Sequence, residues 1–132
     1  KDATAHAEIT AIKKACEALG GWRLIGCEMY VTLEPCLMCS GAILQSRIEK
    51  LYIGAMDPKA GAAGSVINVF KDHWFHHKCE VFTGILQEEC SSILKDFFKK
   101  SVCRKRHAGS NPALSAIDKR ITHKSDFFSI RE

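Results

Sequence analysis

Three residues of the chain have the types and the order expected of a zinc-binding site. His6 lies near the start of the sequence, and Cys36 and Cys39 follow as a Cys-x-x-Cys pair. Zinc is commonly held by Cys sulfurs and His nitrogens, and a catalytic zinc keeps three protein ligands so that a water can take the fourth position. The metal lowers the pKa of that water towards neutrality, which prepares it for hydrolysis. We therefore predict Zn2+ with His6, Cys36 and Cys39 as its ligands.

Glu8 and Pro35 complete the pattern around these ligands. A carboxylate two residues after the metal-binding histidine can transfer protons in a hydrolysis, so Glu8 is the predicted catalytic residue. Pro35 suits the first turn of a helix. A helix that begins there points both sulfurs of the Cys-x-x-Cys pair at one metal, and its N-terminus favours thiolates. In combination, His-x-Glu and Pro-Cys-x-x-Cys are the signature of zinc nucleobase deaminases.

The remaining cysteines argue against other uses of a Cys-x-x-Cys pair. Alone, such a pair is more often half of a structural zinc site, closed by a fourth Cys or His at short spacing, or a redox pair. The other cysteines stand singly in apolar or amphipathic segments, as buried free thiols do: Cys16, Cys27, Cys79, Cys90 and Cys103. Seven cysteines are an odd number, and two are needed as metal thiolates. These numbers indicate a reducing compartment, and we expect a cytoplasmic protein.

Length and composition are those of one globular domain. The 132 residues are 46% hydrophobic and 26% charged, which is ordinary for a globular chain. No apolar stretch reaches the length of a membrane span, and no signal peptide opens the sequence. We therefore expect no membrane partner.

The basic surplus of the chain is concentrated towards its C-terminus. Residues 1–94 contain nine Lys and Arg against eleven Asp and Glu, whereas residues 95–132 contain ten against four. Aromatic residues stand within this basic run, which includes Lys95, Phe97, Phe98, Lys99, Lys100, Arg104, Lys105 and Arg106. Cations that bind phosphates and aromatics that stack on bases suit single-stranded or looped RNA. A solvated helix face with two core phenylalanines explains the run equally well, and only the deaminase signature favours RNA.

Helical and strand patterns alternate along the sequence. Helices are predicted over Ala3–Leu19, from Pro35 to near Ser46, and over Glu88–Arg106, and strands over Leu24–Leu33, Leu51–Ala55 and Cys79–Gly84. The intervening Asp57–Ser65 is predicted to be a loop and Val66–Phe70 a short helix or turn. Strands that alternate with helices indicate an α/β fold with parallel strand pairs. We predict a deaminase domain at residues 1–106 and a poorly ordered tail at residues 107–132.

Further segments add to the zinc motif, namely Trp22–Leu24, Tyr30–Cys36, Gly41–Ile43, Gln45–Ile48, Gly54–Ser65 and Gly84–Leu86. With that motif they make residues 1 to about 106 closely resemble the bacterial tRNA adenosine deaminases of the cytidine deaminase-like superfamily. The resemblance implies a three-layer α/β/α sandwich with a basic C-terminal helix. It also implies a zinc-dependent hydrolysis that converts the wobble adenosine of a tRNA anticodon to inosine.

The same resemblance implies where RNA would bind. In the family, the Asp-x-Lys-x-Gly-Ala loop lies beside the flipped anticodon nucleotide, so Asp57 and Lys59 are inferred RNA contacts, and Pro35 is assigned to the same substrate group. Four further residues match the helix that flanks this loop: Phe97, Phe98, Lys99 and Lys100. The expected partners are a tRNA anticodon stem-loop and a second copy of the chain, because the family usually forms homodimers.

Family members carry a helix and a β-hairpin before the His-Ala-Glu helix, and only five residues precede His6 here. We therefore expect an N-terminally truncated member of the family, in which the sheet edge at Met29–Leu33 is open. Two other functions stay open at this point. One is a deaminase of a free base or nucleotide, of the guanine or deoxycytidylate type, which the basic aromatic helix counts against. The other is a non-catalytic zinc-binding fragment, which the absent N-terminal segment supports.

Overall fold

The chain adopts an α/β fold in which three parallel strands are flanked by helices. A computed structural model describes residues 2–71, 76–107 and 129–131, with the backbone alone described for residues 101–107 and 129–131. Within these ranges the elements are α1 (Ala7–Leu19), β1 (Glu28–Leu33), α2 (Leu37–Gln45), β2 (Lys50–Ala55), β3 (Glu80–Thr83), α3 (Gln87–His107) and β4 (Ser129–Arg131). The predicted α/β class with parallel strand pairs is confirmed.

The sheet has the strand order β3-β2-β1-β4. β1 pairs with β2 and β2 with β3 in parallel, whereas β4 is antiparallel to β1. β4 pairs residue by residue with Glu28–Tyr30, so the prediction of an open edge at Met29–Leu33 is wrong for the first part of that strand. The remainder of the predicted tail, residues 108–128 and 132, lies outside the described residues, and its order stays a prediction.

The first strand is shorter than the apolar run that predicted it. β1 begins at Glu28 because the residues before it form a turn, in which the Cys27 N–H donates to the Leu24 carbonyl at 3.2 Å and Gly26 has a φ of 78°. Leu24 is nevertheless fully buried, and its N–H donates to the Ser46 carbonyl at 2.7 Å. The apolar run therefore predicts the burial of Leu24 correctly, but it predicts a strand where the structure has a turn.

Other predicted boundaries also change, and α2 begins at Leu37 instead of Pro35, with Cys36 as its N-cap. The first helix begins at Ala7 instead of Ala3, because one carboxylate oxygen of Asp2 accepts hydrogen bonds from the Thr4 N–H at 2.8 Å and the Thr4 hydroxyl at 2.6 Å. These bonds hold the preceding residues in a turn. The Val66–Phe70 segment contains no helix, which leaves the turn of the two predicted forms.

The hydrophobic core lies on one face of the sheet. Alternate residues of a strand share a face. The buried residues of this face pack with Ile43 and Leu44 of α2, and they are Met29, Val31, Leu51 and Ile53. α1 adds a partly buried stripe of small and apolar residues, consisting of Ala11, Ile12, Ala15 and Cys16. No helix among the described residues is long and apolar enough to span a membrane.

The opposite face of the sheet carries a row of aromatic rings and the contact with α3. Tyr30 stacks on Tyr52 with ring centroids 4.5 Å apart, and Tyr52 stacks on Phe82 with centroids 4.9 Å apart. Gly54 shares this face with Tyr52, and a Cβ there would meet the side chain of Cys90 on α3. The glycine therefore allows α3 to approach the sheet closely.

Candidate active site

The predicted metal ligands stand at the N-termini of two helices. His6 is the N-cap of α1, and its carbonyl accepts the N–H of Thr10 at 3.0 Å. Cys36 is the N-cap of α2, and Cys39 lies in the first turn of that helix. Because α1 packs against α2, the two helix starts meet, and the three side chains converge although they come from distant parts of the sequence.

The distances between the ligand atoms fit a metal ion. The imidazole and thiol ligand atoms of His6, Cys36 and Cys39 all lie within 4.8 Å of one another. The Nδ1 atom of His6 is 3.7 Å from Sγ of Cys36 and 3.4 Å from Sγ of Cys39. Tetrahedral zinc with ordinary bond lengths separates a nitrogen and a sulfur ligand by about 3.5 Å. Among the described residues, this is the group of His, Cys, Asp and Glu that could hold a metal.

The electrostatics of the site also favour a bound cation. Burial raises the pKa of the Cys39 thiol, and the neighbouring Glu8 carboxylate and Cys36 thiol raise it further. Glu8 is itself only 9% exposed, so a carboxylate and two thiols share one small region. A divalent cation would offset the negative charge of the carboxylate and favour the thiolates that bind metal.

The structure brings a loop, which we call loop 57–65, against the segment that carries Cys36. Cys36 and Gly61 form an antiparallel backbone bridge, and the Ala62 N–H donates to the Pro35 carbonyl at 2.9 Å. Within the loop, the Asp57 carboxylate accepts the Lys59 N–H at 2.9 Å. Asp57 thus shapes the loop with its side chain, while Lys59 is exposed.

Glu34 is a residue whose importance the sequence analysis missed. It is 2% exposed, and its carboxylate accepts hydrogen bonds from the N–H groups of Asp57 at 2.9 Å, Ala63 at 2.9 Å and Ser65 at 3.0 Å, and from the Ser65 hydroxyl. Burial alone would raise the pKa of Glu34, but these four hydrogen bonds outweigh it and hold the pKa below its usual value. The available signal was a carboxylate at the end of an apolar strand, directly before Pro-Cys.

The predicted RNA-binding residues on α3 form a separate surface, which we call the α3 cluster. It consists of Phe97, Phe98, Lys99 and Lys100. Phe97 and Phe98 make an edge-to-face pair with ring centroids 5.6 Å apart, and Phe98 is 57% exposed. Both lysines are exposed. The contacts that join the metal ligands to loop 57–65 do not include this cluster, whose position depends on how α3 packs on β1 and β2.

Known proteins are similar to this chain in both sequence and fold. A family model described as MafB19-like deaminase matches residues 1–102. A tRNA-specific adenosine deaminase of Bacillus subtilis is 49% identical over 107 residues, which are 81% of this chain and 66% of that protein. The chain spans just under two thirds of the length of the curated relatives that it matches.

Solved structures of deaminases are also similar to this chain. One, from studies of A-to-I editing by tRNA deaminases at the wobble position of transfer RNA, has a TM-score of 0.67 and 51% identity, and the match covers 70% of this chain and 67% of that one. A guanine deaminase of Nitrosomonas europaea has a TM-score of 0.57 and 26% identity, with 72% and 57% covered. The chain therefore belongs to the MafB19-like deaminase family.

Proposed function

We propose that the protein carries out the zinc-dependent hydrolytic deamination of the wobble adenosine in a tRNA anticodon, which yields inosine. The observation that carries this proposal is the meeting of the His6, Cys36 and Cys39 ligand atoms with the buried carboxylate of Glu8. The relatives named tRNA-specific adenosine deaminases, which are about 50% identical over the aligned residues, support adenosine in tRNA as the substrate.

The donor set supports zinc as the resident metal. Two sulfurs and one imidazole nitrogen are ligands that zinc accepts in catalytic sites, and three protein ligands leave a position for water. When bound, zinc would lower the pKa of a coordinated water and so supply a nucleophile at neutral pH. We assign His6, Cys36 and Cys39 to holding the metal.

Glu8 is assigned to proton transfer and not to metal binding. In the hydrolysis, a water adds to the ring carbon that bears the amino group, the carbon–nitrogen bond breaks, and ammonia leaves. Glu8 takes a proton from the water and passes protons to the adjacent ring nitrogen and to the departing amine. Its buried place beside Cys39 keeps the carboxylate close to the metal ligands.

The tRNA would contact two surfaces. Loop 57–65 lies against the segment that carries Pro35 and Cys36, since the Pro35 carbonyl accepts the Ala62 N–H. Lys59 of this loop is exposed, and its N–H donates to the Asp57 carboxylate. The α3 cluster offers an exposed aromatic ring for stacking and two exposed cations for phosphates, which suits the single-stranded loop of an anticodon arm. We propose that both surfaces bind one anticodon stem-loop.

Three further features belong to this proposal. α1 and α2 pack on one face of the sheet and α3 contacts the opposite face, which supports a three-layer α/β/α sandwich. The proposed tRNA substrate supports a cytoplasmic location for the protein. The homodimer implied by the family resemblance is retained as a proposal, and sedimentation at several protein concentrations tests it.

A second candidate is the deamination of a free base. The fold similarity to a guanine deaminase favours it, and the metal ligands would serve either reaction. The identity to that structure is 26%, against 51% to the one from the tRNA deaminase studies. We therefore place guanine second, and a zinc-binding chain without activity third.

The decisive experiment is inosine formation on an anticodon stem-loop with a wobble adenosine. Parent chain and the isosteric Glu8→Gln variant are compared, with zinc quantified in both, and guanine and deoxycytidylate are offered separately. Inosine from the parent and none from a zinc-replete variant supports the proposal. Ammonia from guanine alone supports the second candidate, and folded, zinc-replete protein without any product supports the third.

A further inference from the structure

Glu34 connects the metal-ligand segment to loop 57–65. It directly precedes Pro35 and Cys36, so its backbone belongs to the segment that carries a metal ligand. Its carboxylate, by contrast, is bonded entirely to the loop, through the N–H groups of Asp57, Ala63 and Ser65 and the Ser65 hydroxyl. The side chain therefore ties two segments that are far apart in sequence.

The loop is built around this carboxylate. A Cβ at Gly61 would overlap the carboxyl group of Glu34 and lie 2.6 Å from the Asp57 carbonyl oxygen. The glycine thus leaves the space into which Glu34 extends. The backbone bridge between Cys36 and Gly61 fixes the same loop from the other side.

A carboxylate is the group that this arrangement requires. The four donors need two acceptor oxygens, and an ionised carboxylate accepts hydrogen bonds at both of them. An amide of the same shape has one oxygen and one NH2 group, so in either orientation its NH2 faces at least one backbone N–H of the loop. That N–H would lose its acceptor in a buried place, which is more costly than losing an exposed hydrogen bond.

We propose that Glu34 is a positioning residue of the active site, whose carboxylate holds loop 57–65 against the metal-ligand segment so that the loop can receive the substrate nucleotide. Glu34 does not touch the substrate itself and acts through the loop. The proposal rests on the function proposed above for its substrate. The anchoring of the loop is measurable without any turnover.

The test compares three variants of the full chain. Glu34→Gln keeps the shape and removes an acceptor, and Ser65→Ala removes only the hydroxyl donor, so it is the milder variant should the first not fold. Glu49→Gln is the matched control, because Glu49 also accepts a backbone N–H, that of Gly26 at 3.0 Å, at the opposite end of the sheet. For each, one measures zinc content, amide hydrogen exchange in residues 57–65, the Kd for an anticodon stem-loop, and kcat and KM separately.

We expect Glu34→Gln to raise the exchange rates of the Asp57, Ala63 and Ser65 amides by about 10-fold or more, as for the loss of a hydrogen bond to a charged group. Its Kd and KM for the stem-loop should rise by a similar factor, while zinc content stays at the parent value. Ser65→Ala should shift the same amides by a smaller factor, and Glu49→Gln should leave them unchanged.

Three results separate the outcomes. Parent-like exchange in zinc-replete Glu34→Gln, or in Ser65→Ala if Glu34→Gln does not fold, overturns the proposal. Faster exchange with unchanged Kd and KM also overturns it, because the loop would then be held without serving the substrate. If the parent chain binds the stem-loop but forms no inosine, the proposed reaction fails, whereas a weaker Kd with faster loop exchange in Glu34→Gln still supports the positioning role.

Discussion

Replacement of Gly54 by alanine tests how closely α3 is held to the sheet. The added Cβ would lie 2.9 Å from the Cβ of Cys90 and 3.0 Å from the Thr32 carbonyl oxygen, and closer still to the Cys90 sulfur. Carbon atoms attract best at about 3.5 to 4.0 Å, so either the helix or the strand must move. Overpacking of this kind costs about 1 to 3 kcal/mol of the free energy of unfolding.

Part of this loss is offset in the unfolded chain, because alanine has less conformational freedom there than glycine, by about 0.4 to 1 kcal/mol. We therefore expect Gly54→Ala to lower the free energy of unfolding by about 1 to 2 kcal/mol, measured by urea denaturation at constant zinc. The α3 cluster should move with the helix, so stem-loop affinity should fall while zinc content does not.

A second substitution tests the cause. Cys90→Ala removes the sulfur but leaves its Cβ, so we expect it to relieve part of the loss in Gly54→Ala, with a coupling energy of about 0.5 to 1 kcal/mol in a double-mutant cycle. Gly41→Ala is the control, since nothing lies within 4 Å of a Cβ at that position. Equal stability of Gly54→Ala and the parent, or the same effect of Cys90→Ala in both backgrounds, would refute the reasoning.

Other predictions concern α2, the metal site and the RNA surface. Gly41→Ala should raise the free energy of unfolding by about 0.5 to 1 kcal/mol, because Gly41 lies inside α2, and denaturation that shows a loss would contradict this. Removing the metal with a chelator should expose Cys36 to alkylation, measured by mass spectrometry, whereas Cys79 should stay unlabelled because burial, and then the charge of Glu80, raise its pKa to about 12. Lys99→Ala and Lys100→Ala should each reduce the slope of log Kd against log salt by about 0.7 if they bind phosphates of a single strand; unchanged slopes would remove the α3 cluster from the RNA surface.

The sequence predicted the convergence of the metal-site residues because that convergence depends on local features. Two short motifs, each at a helix start, need only one contact between α1 and α2 to bring His6 beside Cys36 and Cys39. The parallel pairing of β2 could likewise be predicted, because Leu51–Ala55 is an uninterrupted apolar run of the kind found in buried parallel strands.

Features that depend on distant hydrogen bonds could not be predicted in the same way. Leu24 has the apolarity of a strand residue, but its N–H bonds to the Ser46 carbonyl in a turn, and hydrophobicity reports burial without reporting hydrogen-bond partners. The role of Glu34 is set by donors on a loop that follows it by more than twenty residues. A local sequence pattern cannot show that these backbone N–H groups face the carboxylate of Glu34.

The attachment of α1 has a consequence for the folding of the chain. Glu8 is the one residue of this helix that is buried. The apolar contact of α1 with the core is a narrow stripe of partly buried side chains. A metal held by His6 and Cys36, which are thirty positions apart, would act as a cross-link that closes the intervening loop. If it behaved like a disulfide, it would raise the free energy of unfolding by about 3 to 4 kcal/mol, because it lowers the entropy of the unfolded chain. The metal would then secure the first helix as well as its catalytic water, and loss of the ion would release that helix before the sheet unfolds.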